Sequence, residues 1–163
     1  MWTRNSSSTR EEVQVGDVLG RPVEDIRRRW LLLKKEIGRG QYGVILRCVH
    51  HSTGEIAAYK SIRKAAIQSD AGVEAVRYEV AFMEELKGHP NIIRIKQAVE
   101  THRHVHVVME ICEGGDLFDR IDSSRRLSEP SAAHIFRSLM LALQHCNSHG
   151  IMHRDIKPKN ILL

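Results

Sequence analysis

A glycine-rich stretch followed directly by apolar residues decides the fold of this chain. Residues 38–49 are Gly-Arg-Gly-Gln-Tyr-Gly-Val-Ile-Leu-Arg-Cys-Val, and the first six fit the pattern Gly-x-Gly-x-x-Gly. Such glycines let a backbone approach phosphate groups in several unrelated folds, although a purely structural turn has the same pattern. A dinucleotide-binding unit needs a helix directly after the third glycine, whereas residues 44–49 are rich in β-branched and aliphatic residues. We therefore predict a β-hairpin whose turn is the glycine loop.

Further strands and one helix extend outward from this hairpin. Residues rich in strand-forming types predict five strands, over 30–37, 44–50, 55–62, 93–99 and 105–109. Between Val73 and Leu86 the apolar residues recur at spacings of three and four, which indicates an amphipathic helix. Residues 1–28 contain isolated valines without a period, so we expect a flexible tail. Residues 29–111 are thus predicted to form a first lobe with a five-stranded antiparallel sheet and one main helix.

Helices dominate from residue 112 onward. A short helix is predicted over 116–122, and a longer one begins near Ser128, has Pro130 in its first turn and ends at Gly150. One face of the longer helix is apolar and contains Ile135, Leu139, Leu143 and Cys146. The fold class is therefore predicted to be α+β, and residues 112–163 begin a second, helical lobe that is incomplete.

Lys60 and Glu79 are the first chemically informative pair. The period of two places Lys60 on the same strand face as Ala58, where a lysine is usually an edge residue whose charged end reaches solvent. Glu79 lies between Val76 and Met83 at helical spacing, so its carboxylate falls within the apolar stripe. A charge there is costly unless it is paired. We predict that Lys60 is its partner, beside the phosphate-binding loop.

The densest polar motif is His153-Arg154-Asp155-Ile156-Lys157-Pro158-Lys159-Asn160, directly after the predicted long helix. On such a loop an aspartate can accept a hydroxyl proton and a lysine can neutralise charge on a transferring phosphoryl group. An amide oxygen can ligate a hard cation such as Mg²⁺. A polar connecting loop with a chance pattern is the alternative, which the glycine loop and Lys60 upstream disfavour.

Composition and charge exclude several classes of protein. Of the 163 residues, 42% are hydrophobic and 28% charged, which argues against a disordered, collagen-like or membrane-embedded chain. The formal net charge is +5, but basic residues are scattered apart from 27–29 and no aromatic residues alternate with them, so we expect no nucleic-acid partner. The apolar run 139–143 is far too short to span a membrane, and we expect no membrane partner. No apolar stretch follows the serine-rich start, which predicts a cytoplasmic or nuclear location.

The cysteines and histidines favour structural interpretations. Cys48, Cys112 and Cys146 are widely spaced, which argues against disulfides and a cysteine zinc site and for buried thiols. Alternating histidines at 102, 104 and 106 could bind a metal, but their position beside a turn favours a solvated hairpin edge. The histidines at 145 and 149 are interpreted in the same way, as structural residues near a helix end.

Together these motifs resemble the eukaryotic protein kinases over residues from about 30 to 163. The resemblance implies ATP and Mg²⁺ as cofactors, and Lys157 two residues after Asp155 is similar to kinases that phosphorylate protein serine or threonine. It implies that Lys60 and Glu79 position the α- and β-phosphates, that Asp155 is the catalytic base, and that Lys157 contacts phosphate while Asn160 ligates magnesium. The nucleotide-binding residues that it implies are Ile37, Gly38, Gly40, Gly43, Ile45, Ala58, Met109, Glu110, Cys112, Asp116 and Leu162. By the same resemblance, the glycines would cover the phosphates, Asp116 would approach the ribose, and Met109 would be the gatekeeper. Adenine would lie between Ile45, Ala58 and Leu162 and bind the main chains of Glu110 and Cys112.

Residues 89–92 and 109–121 are most similar to the calcium/calmodulin-dependent group, and within it to plant calcium-dependent protein kinases and their relatives. One departure is Lys159, at a place where the family usually has glutamate, which puts a preference for basic substrates in doubt. The other is that the sequence ends at Leu163 before an Asp-Phe-Gly motif. We therefore expect a truncated kinase that is inactive by itself. The alternative hypothesis is a non-catalytic nucleotide-binding or interaction module, a kinase remnant.

Overall fold

A computed structural model describes residues 18–21, 23–40 and 43–163. Five strands form one antiparallel sheet in the order β1-β2-β3-β5-β4. Their bounds are β1 (Trp30–Gly40), β2 (Gly43–His50), β3 (Ile56–Arg63), β4 (Ile95–Glu100) and β5 (His104–Met109). The predicted α+β class is confirmed. Because β1 and β2 pair on either side of the glycine loop, the structure has the predicted hairpin and excludes a dinucleotide-binding unit.

Helix α1 (Asp70–Glu85) covers one face of the sheet. It begins at Ser69, whose side chain accepts a hydrogen bond from the Gly72 N–H. Its buried residues Val76 and Val80 pack against apolar side chains of β3, β4 and β5. These are Ala58, Ile62, Ile95, Ala98, Val105, Val107 and Met109. This cluster is the main core, and it holds the helix that carries Glu79 against the sheet.

Residues 18–28, which we name the N-terminal clasp, pack on both faces of the sheet. Val18 is 3% exposed and lies in the α1-side cluster, whereas Ile26 is 2% exposed and lies on the opposite face with Trp30 and Tyr59. A short 3₁₀ helix, Ile26–Arg28, follows an Asp25 cap. The prediction of a tail extending to residue 28 is therefore wrong for the described part of the clasp, and residues 1–17 lie outside the described residues. The clasp is held by single apolar residues, Val18 and Ile26, that are buried at separate places and therefore form no periodic pattern in the sequence.

A buried ion pair anchors the clasp to the sheet. Lys64 Nζ lies 2.8 Å from Glu100 Oε2, and the two side chains are 1% and 0% exposed. The Glu100 carboxylate also accepts hydrogen bonds from the backbone N–H groups of Val18, at 2.9 Å, and of Leu19 and Arg21, both at 3.3 Å. Burial raises the pKa of Glu100, but the hydrogen bond from Lys64 and those from the backbone outweigh it, so the pKa lies below its ordinary value. Glu100 is therefore held as a carboxylate.

The helical part comprises α2 (Leu117–Ser124) and α3 (Glu129–Ser148). Asp116 caps α2, Ser128 caps α3, and Gly150, with a φ of 70°, allows the chain to turn after α3. A 3₁₀ helix over Pro158–Asn160 follows, and Leu162 then forms an antiparallel bridge with Asp116. This bridge ties the end of the chain to the start of α2.

The apolar face of α3 is only partly what the sequence predicts. Cys146 is buried in a small cluster with Leu86 and Ile151, so the C-terminal end of this face packs toward the end of α1, while Ile135, Leu139 and Leu143 are half-buried. The large apolar side chains that are exposed lie elsewhere on the helix: Phe136, Met140 and Leu141. In the part of the chain that the structure describes, no helix has the length and apolar character needed to cross a membrane.

Candidate functional site

The glycine loop joins β1, an edge strand of the sheet, to β2. Gly38 pairs with Ile45, and Gly40 pairs with Gly43, while residues 41 and 42 lie outside the described residues. A Cβ added at Gly43 would lie 2.0 Å from the Ser61 carbonyl oxygen of β3, whereas one at Gly38 would lie 3.7 Å from Ile45. Gly43 is therefore required because the backbones of β2 and β3 approach each other closely. The Gly-x-Gly-x-x-Gly pattern alone does not show that Gly43 is under this constraint and Gly38 is not.

The predicted ion pair between Lys60 and Glu79 is present. Lys60 Nζ lies 2.5 Å from Glu79 Oε1, and the side chains are 14% and 39% exposed. Lys60 is opposite Ile45 of β2 and Val107 of β5, so it belongs to the middle of the sheet and not to an edge. The alternative of a lysine that extends to solvent from a sheet edge is therefore excluded. The ammonium is fixed between the sheet and α1, on the strand below the glycine loop.

The apolar residues expected at the nucleotide-binding site lie on two separate parts of the chain. Ala58 pairs with Met109 across β3 and β5, and both are buried. Ile37 and Leu162 are more exposed, at 38% and 43%, and Ile45 is half-buried on β2. The sheet therefore supplies Ile37, Ile45, Ala58 and Met109, while the bridge after the 3₁₀ helix Pro158–Asn160 supplies Leu162.

The segment after β5 has a defined backbone. The Glu110 N–H donates to the Arg94 carbonyl at 2.9 Å, and Glu110 Oε1 accepts from the Arg94 N–H at 2.6 Å. Since the Glu110 N–H is engaged, its carbonyl is the main-chain group suited to bind a ligand. Cys112 is half-buried, and burial raises the pKa of its thiol. Asp116 caps α2 by accepting a 2.8 Å hydrogen bond from the Asp119 N–H.

Asp155, Lys157 and Asn160 form one hydrogen-bonded group. Asp155 Oδ2 lies 2.9 Å from Lys157 Nζ and 2.8 Å from Asn160 Nδ2, which also donates to the Asp155 carbonyl. Lys157 and then Asn160 lower the pKa of Asp155 by hydrogen bonding, so its carboxylate stays ionised at neutral pH. The side chain of Asp155 is 60% exposed. An exposed, ionised aspartate held by two partners can accept a proton from a substrate hydroxyl.

Two features near this group were not predicted from the sequence. Lys159 Nζ lies 4.8 Å from the centre of the Phe118 ring, a cation–π contact between the loop and α2. Arg154 has a φ of 62°, a conformation that is disfavoured for a side-chain-bearing residue and fixes the backbone just before Asp155. The aromatic residue Phe118, in a short helix with mostly polar residues, was the available sequence signal for the first contact; nothing in the sequence indicated the second.

The chemistry of Asn160 fits a magnesium ligand. Its amide nitrogen is used by Asp155, which leaves the carbonyl oxygen of the side chain as the acceptor for a hard cation. Mg²⁺ keeps several waters and binds through one or two protein oxygens plus substrate phosphates, so a small protein ligand set is in keeping with this ion.

The alternating histidines differ from the expectation of a solvated edge. His106 is 8% exposed, and its Nδ1 lies 2.7 Å from the Tyr59 hydroxyl oxygen. Burial, with the nearby charge of His104, lowers the pKa of His106 to about 4, so the ring is neutral at physiological pH. The expectation is thus wrong for His106, because the clasp and the sheet enclose it.

Comparison with known proteins assigns the chain to a family. The family model described as "Protein kinase domain" matches residues 31–163. The chain therefore belongs to the protein kinase family.

Its curated relatives include plant kinases. The chain is 45% identical over 149 residues to calcium-dependent protein kinase 2 of Oryza sativa subsp. japonica, covering 91% of this chain and 29% of the relative. It is 45% identical over 149 residues to calcium-dependent protein kinase 17 of Arabidopsis thaliana, covering 91% of this chain and 28% of the relative. It is 46% identical over 146 residues to calcium-dependent protein kinase 21 of Arabidopsis thaliana, covering 90% and 27%. The predicted resemblance to plant calcium-dependent protein kinases is confirmed, and the chain spans less than a third of the length of these relatives.

Proposed function

We propose that this chain carries the ATP-binding lobe and the catalytic loop of a serine/threonine protein kinase, which transfers the γ-phosphoryl group of ATP to a hydroxyl of a protein substrate. The observation that carries the proposal is the Lys60–Glu79 ion pair, 2.5 Å long and set between the sheet and α1 below the glycine loop. A mostly buried strand lysine paired with a helix carboxylate has few structural uses, because removing the lysine charge from water must be offset. Holding the Lys60 ammonium in place to bind a phosphate group is a function that explains why its desolvation is tolerated.

The nucleotide part of the proposal follows from the geometry of the sheet. The ammonium of Lys60 would neutralise the α- and β-phosphates, and the backbone of residues 38–43 would cover them. The apolar walls from Ala58, Ile45 and Leu162 suit a planar base, and the Glu110 carbonyl with the Cys112 main chain suits its polar edge. Asp116, at the start of α2, would approach the ribose.

The transfer part of the proposal concerns Asp155. Its ionised carboxylate would orient the substrate hydroxyl and take its proton, while Lys157 would stand beside the transferring phosphoryl group. Asn160 would hold a magnesium ion, which would offset the negative charge of the phosphate groups. We also propose a cytoplasmic or nuclear location, which the three free thiols support.

A second candidate function is a nucleotide-binding module without turnover. In this family the metal is positioned by an asparagine of the catalytic loop together with an aspartate. Asn160 can supply the first of these ligands, and a single ligand positions the metal poorly, which favours binding without turnover. We propose that a polypeptide of these 163 residues binds nucleotide and transfers phosphate poorly by itself. The exposed apolar residues of α3 support poor behaviour of the helical part in that polypeptide.

The experiment measures binding of a fluorescent ATP analogue with Mg²⁺ by residues 1–163, with transfer of labelled γ-phosphate to a generic protein as the second assay. Lys60→Met should weaken binding by about tenfold or more, the range of a lost charge-assisted contact to phosphate. Lys96→Met is the matched control, since Lys96 is also a strand lysine in a 2.5 Å ion pair, with Glu55, but lies outside the site.

Three outcomes separate the two candidates. Transfer that is abolished by Asp155→Asn supports the kinase function in this polypeptide. Binding without transfer supports the module for these 163 residues. Absence of binding, or equal effects of Lys60→Met and Lys96→Met, contradicts both.

A further inference from the structure

Helix α1 is held on two opposite flanks. Arg77 and Glu84 are seven residues apart and lie on nearly the same side of the helix, whereas Glu79 lies about 150° around the axis from them at 3.6 residues per turn. Val76 and Val80 fall between these flanks and are buried in the core. The flank of Glu79 contacts Lys60, and the other flank contacts the clasp.

The contacts on the clasp flank are polar and short. Arg77 Nε donates to the Val18 carbonyl at 2.5 Å. One terminal nitrogen of Arg21 lies 2.6 Å from Glu84 Oε2, and the other donates to the Ala98 carbonyl of β4 at 3.2 Å. The Arg21 guanidinium therefore joins α1 to the sheet, on the side away from Lys60. Val18 adds an apolar contact, because it belongs to the same buried cluster as Val76 and Val80.

The clasp can act as a fixed point because its own backbone is anchored. The N–H groups of Val18, Leu19 and Arg21 donate to the Glu100 carboxylate, which the buried Lys64 neutralises. An arginine on an anchored backbone loses less freedom when it binds a helix than one on a free tail. The clasp, anchored by Glu100, therefore fixes α1 relative to the sheet in addition to the apolar core.

We propose that Arg21 is a positioning residue for the Lys60–Glu79 ion pair: by fixing one flank of α1 to β4, it limits the roll of the helix that would carry Glu79 away from Lys60. The inference rests on the proposed function only where nucleotide binding is the readout. A helix held by apolar side chains alone can roll, because van der Waals contacts are non-directional, whereas two directional contacts on opposite flanks resist rotation either way.

The first measurement is hydrogen exchange of the α1 amides in the full 163-residue chain. Arg21→Gln should raise exchange over residues 70–85 and weaken binding of the fluorescent ATP analogue with Mg²⁺, each by about fivefold, the range of one partly exposed ion pair. Arg29→Gln is the matched control, because Arg29 directly follows the clasp and pairs with Glu24 at 3.5 Å, away from α1. Arg21→Lys should restore part of the effect, since lysine can reach Glu84 but lacks the fork that also binds the Ala98 carbonyl.

A double-mutant cycle with Glu79→Gln tests whether Arg21 acts through the ion pair. If it does, Arg21→Gln should have little further effect on nucleotide affinity once Glu79 is replaced. Equal α1 exchange in Arg21→Gln and Arg29→Gln, or a full additive effect of Arg21→Gln on affinity in the Glu79→Gln chain, would overturn the proposal. A wild-type chain that binds no nucleotide would contradict the proposed function, while the exchange comparison would still decide the role of Arg21.

Discussion

The sheet with its clasp and the helical part from residue 112 onward differ in how they hold functional groups. Both faces of the sheet are covered by buried clusters, and its buried polar groups Lys64, Glu100 and His106 have charged or hydrogen-bonding partners. In the helical part the buried cluster is small, and large apolar side chains lie exposed on α2 and α3. Accordingly, Lys60 is 14% exposed and fixed by tertiary packing, whereas Asp155 is 60% exposed and fixed by neighbours in its own loop. The Lys60–Glu79 pair is thus held by the sheet and α1, and the Asp155 carboxylate is held within its own loop.

The largest expected effect comes from breaking the buried ion pair of the clasp. Glu100→Gln removes the carboxylate charge and leaves the Lys64 ammonium buried without its counter-charge, so the free energy of unfolding should fall by about 3–5 kcal/mol. Equilibrium urea unfolding measures this. The loss of stability should affect the sheet and the clasp, because the same carboxylate anchors the clasp backbone.

The matched control is Glu55→Gln, which breaks the Lys96–Glu55 ion pair at a site where Glu55 is 48% exposed. Its cost should be under about 1 kcal/mol, because solvent screens the pair. The double replacement of Lys64 by Met and Glu100 by Leu should cost less than Glu100→Gln alone, since no charge stays buried. Similar costs for Glu100→Gln and Glu55→Gln would mean that the clasp is not anchored as described.

The next effect is a pH dependence that arises from His106. Burial lowers its pKa to about 4 from 6.5, so between these values the unfolded chain binds a proton that the folded chain excludes. Stability is therefore complete above pH 6.5, falls as the pH drops toward 4, and loses at most about 3 kcal/mol in that window. Below pH 4.5 a further loss is expected from Glu100, whose folded pKa is also depressed.

Urea midpoints measured between pH 4 and 7 separate the two groups. His106→Gln should flatten the curve above pH 4.5, whereas His102→Gln should leave its shape unchanged, since His102 is exposed. A steep curve in the His106→Gln chain would assign the acid sensitivity to other groups, such as His104, whose pKa is also lowered by burial.

The parts that the sequence predicts are those specified by local patterns. Strand-forming residue types and the helix period located the five strands and α1, and the polar position of Glu79 within an apolar stripe predicted its pairing with Lys60. The clasp escaped prediction because Val18 and Ile26 are single apolar residues eight positions apart, buried on different faces of the sheet. Glu100 resembled an ordinary polar residue at a strand end, although a carboxylate directly after Ala98-Val99 was an available signal. His106 depends on enclosure by distant residues, which no local pattern encodes.

A smaller effect distinguishes two glycines of the same loop. Gly43→Ala would place a methyl group against the Ser61 carbonyl of β3, so β2 or β3 must shift, at a cost of about 1–3 kcal/mol. Gly38→Ala meets only the Ile45 side chain at an ordinary contact distance and should leave the melting temperature nearly unchanged. Thermal unfolding of the two variants tests this. A lower melting temperature for Gly38→Ala than for Gly43→Ala would contradict the packing of the hairpin on β3.

The smallest effect on stability is expected on α3, where glutamine can be placed on two faces of one helix. Phe136 is 62% exposed and one turn from the exposed Met140, so Phe136→Gln should change the free energy of unfolding by about 0.5 kcal/mol or less. Exposed apolar neighbours favour association, so the same variant should shift the sedimentation of the concentrated chain toward monomer. Ala142→Gln introduces the same side chain on the buried face and should cost about 1–3 kcal/mol instead. If both variants destabilise the chain equally, Phe136 has a packing role within the chain. If neither variant destabilises it, the helical part contributes little to cooperative unfolding. The difference in stability between the sheet and the helical part is then larger than their burial alone indicates.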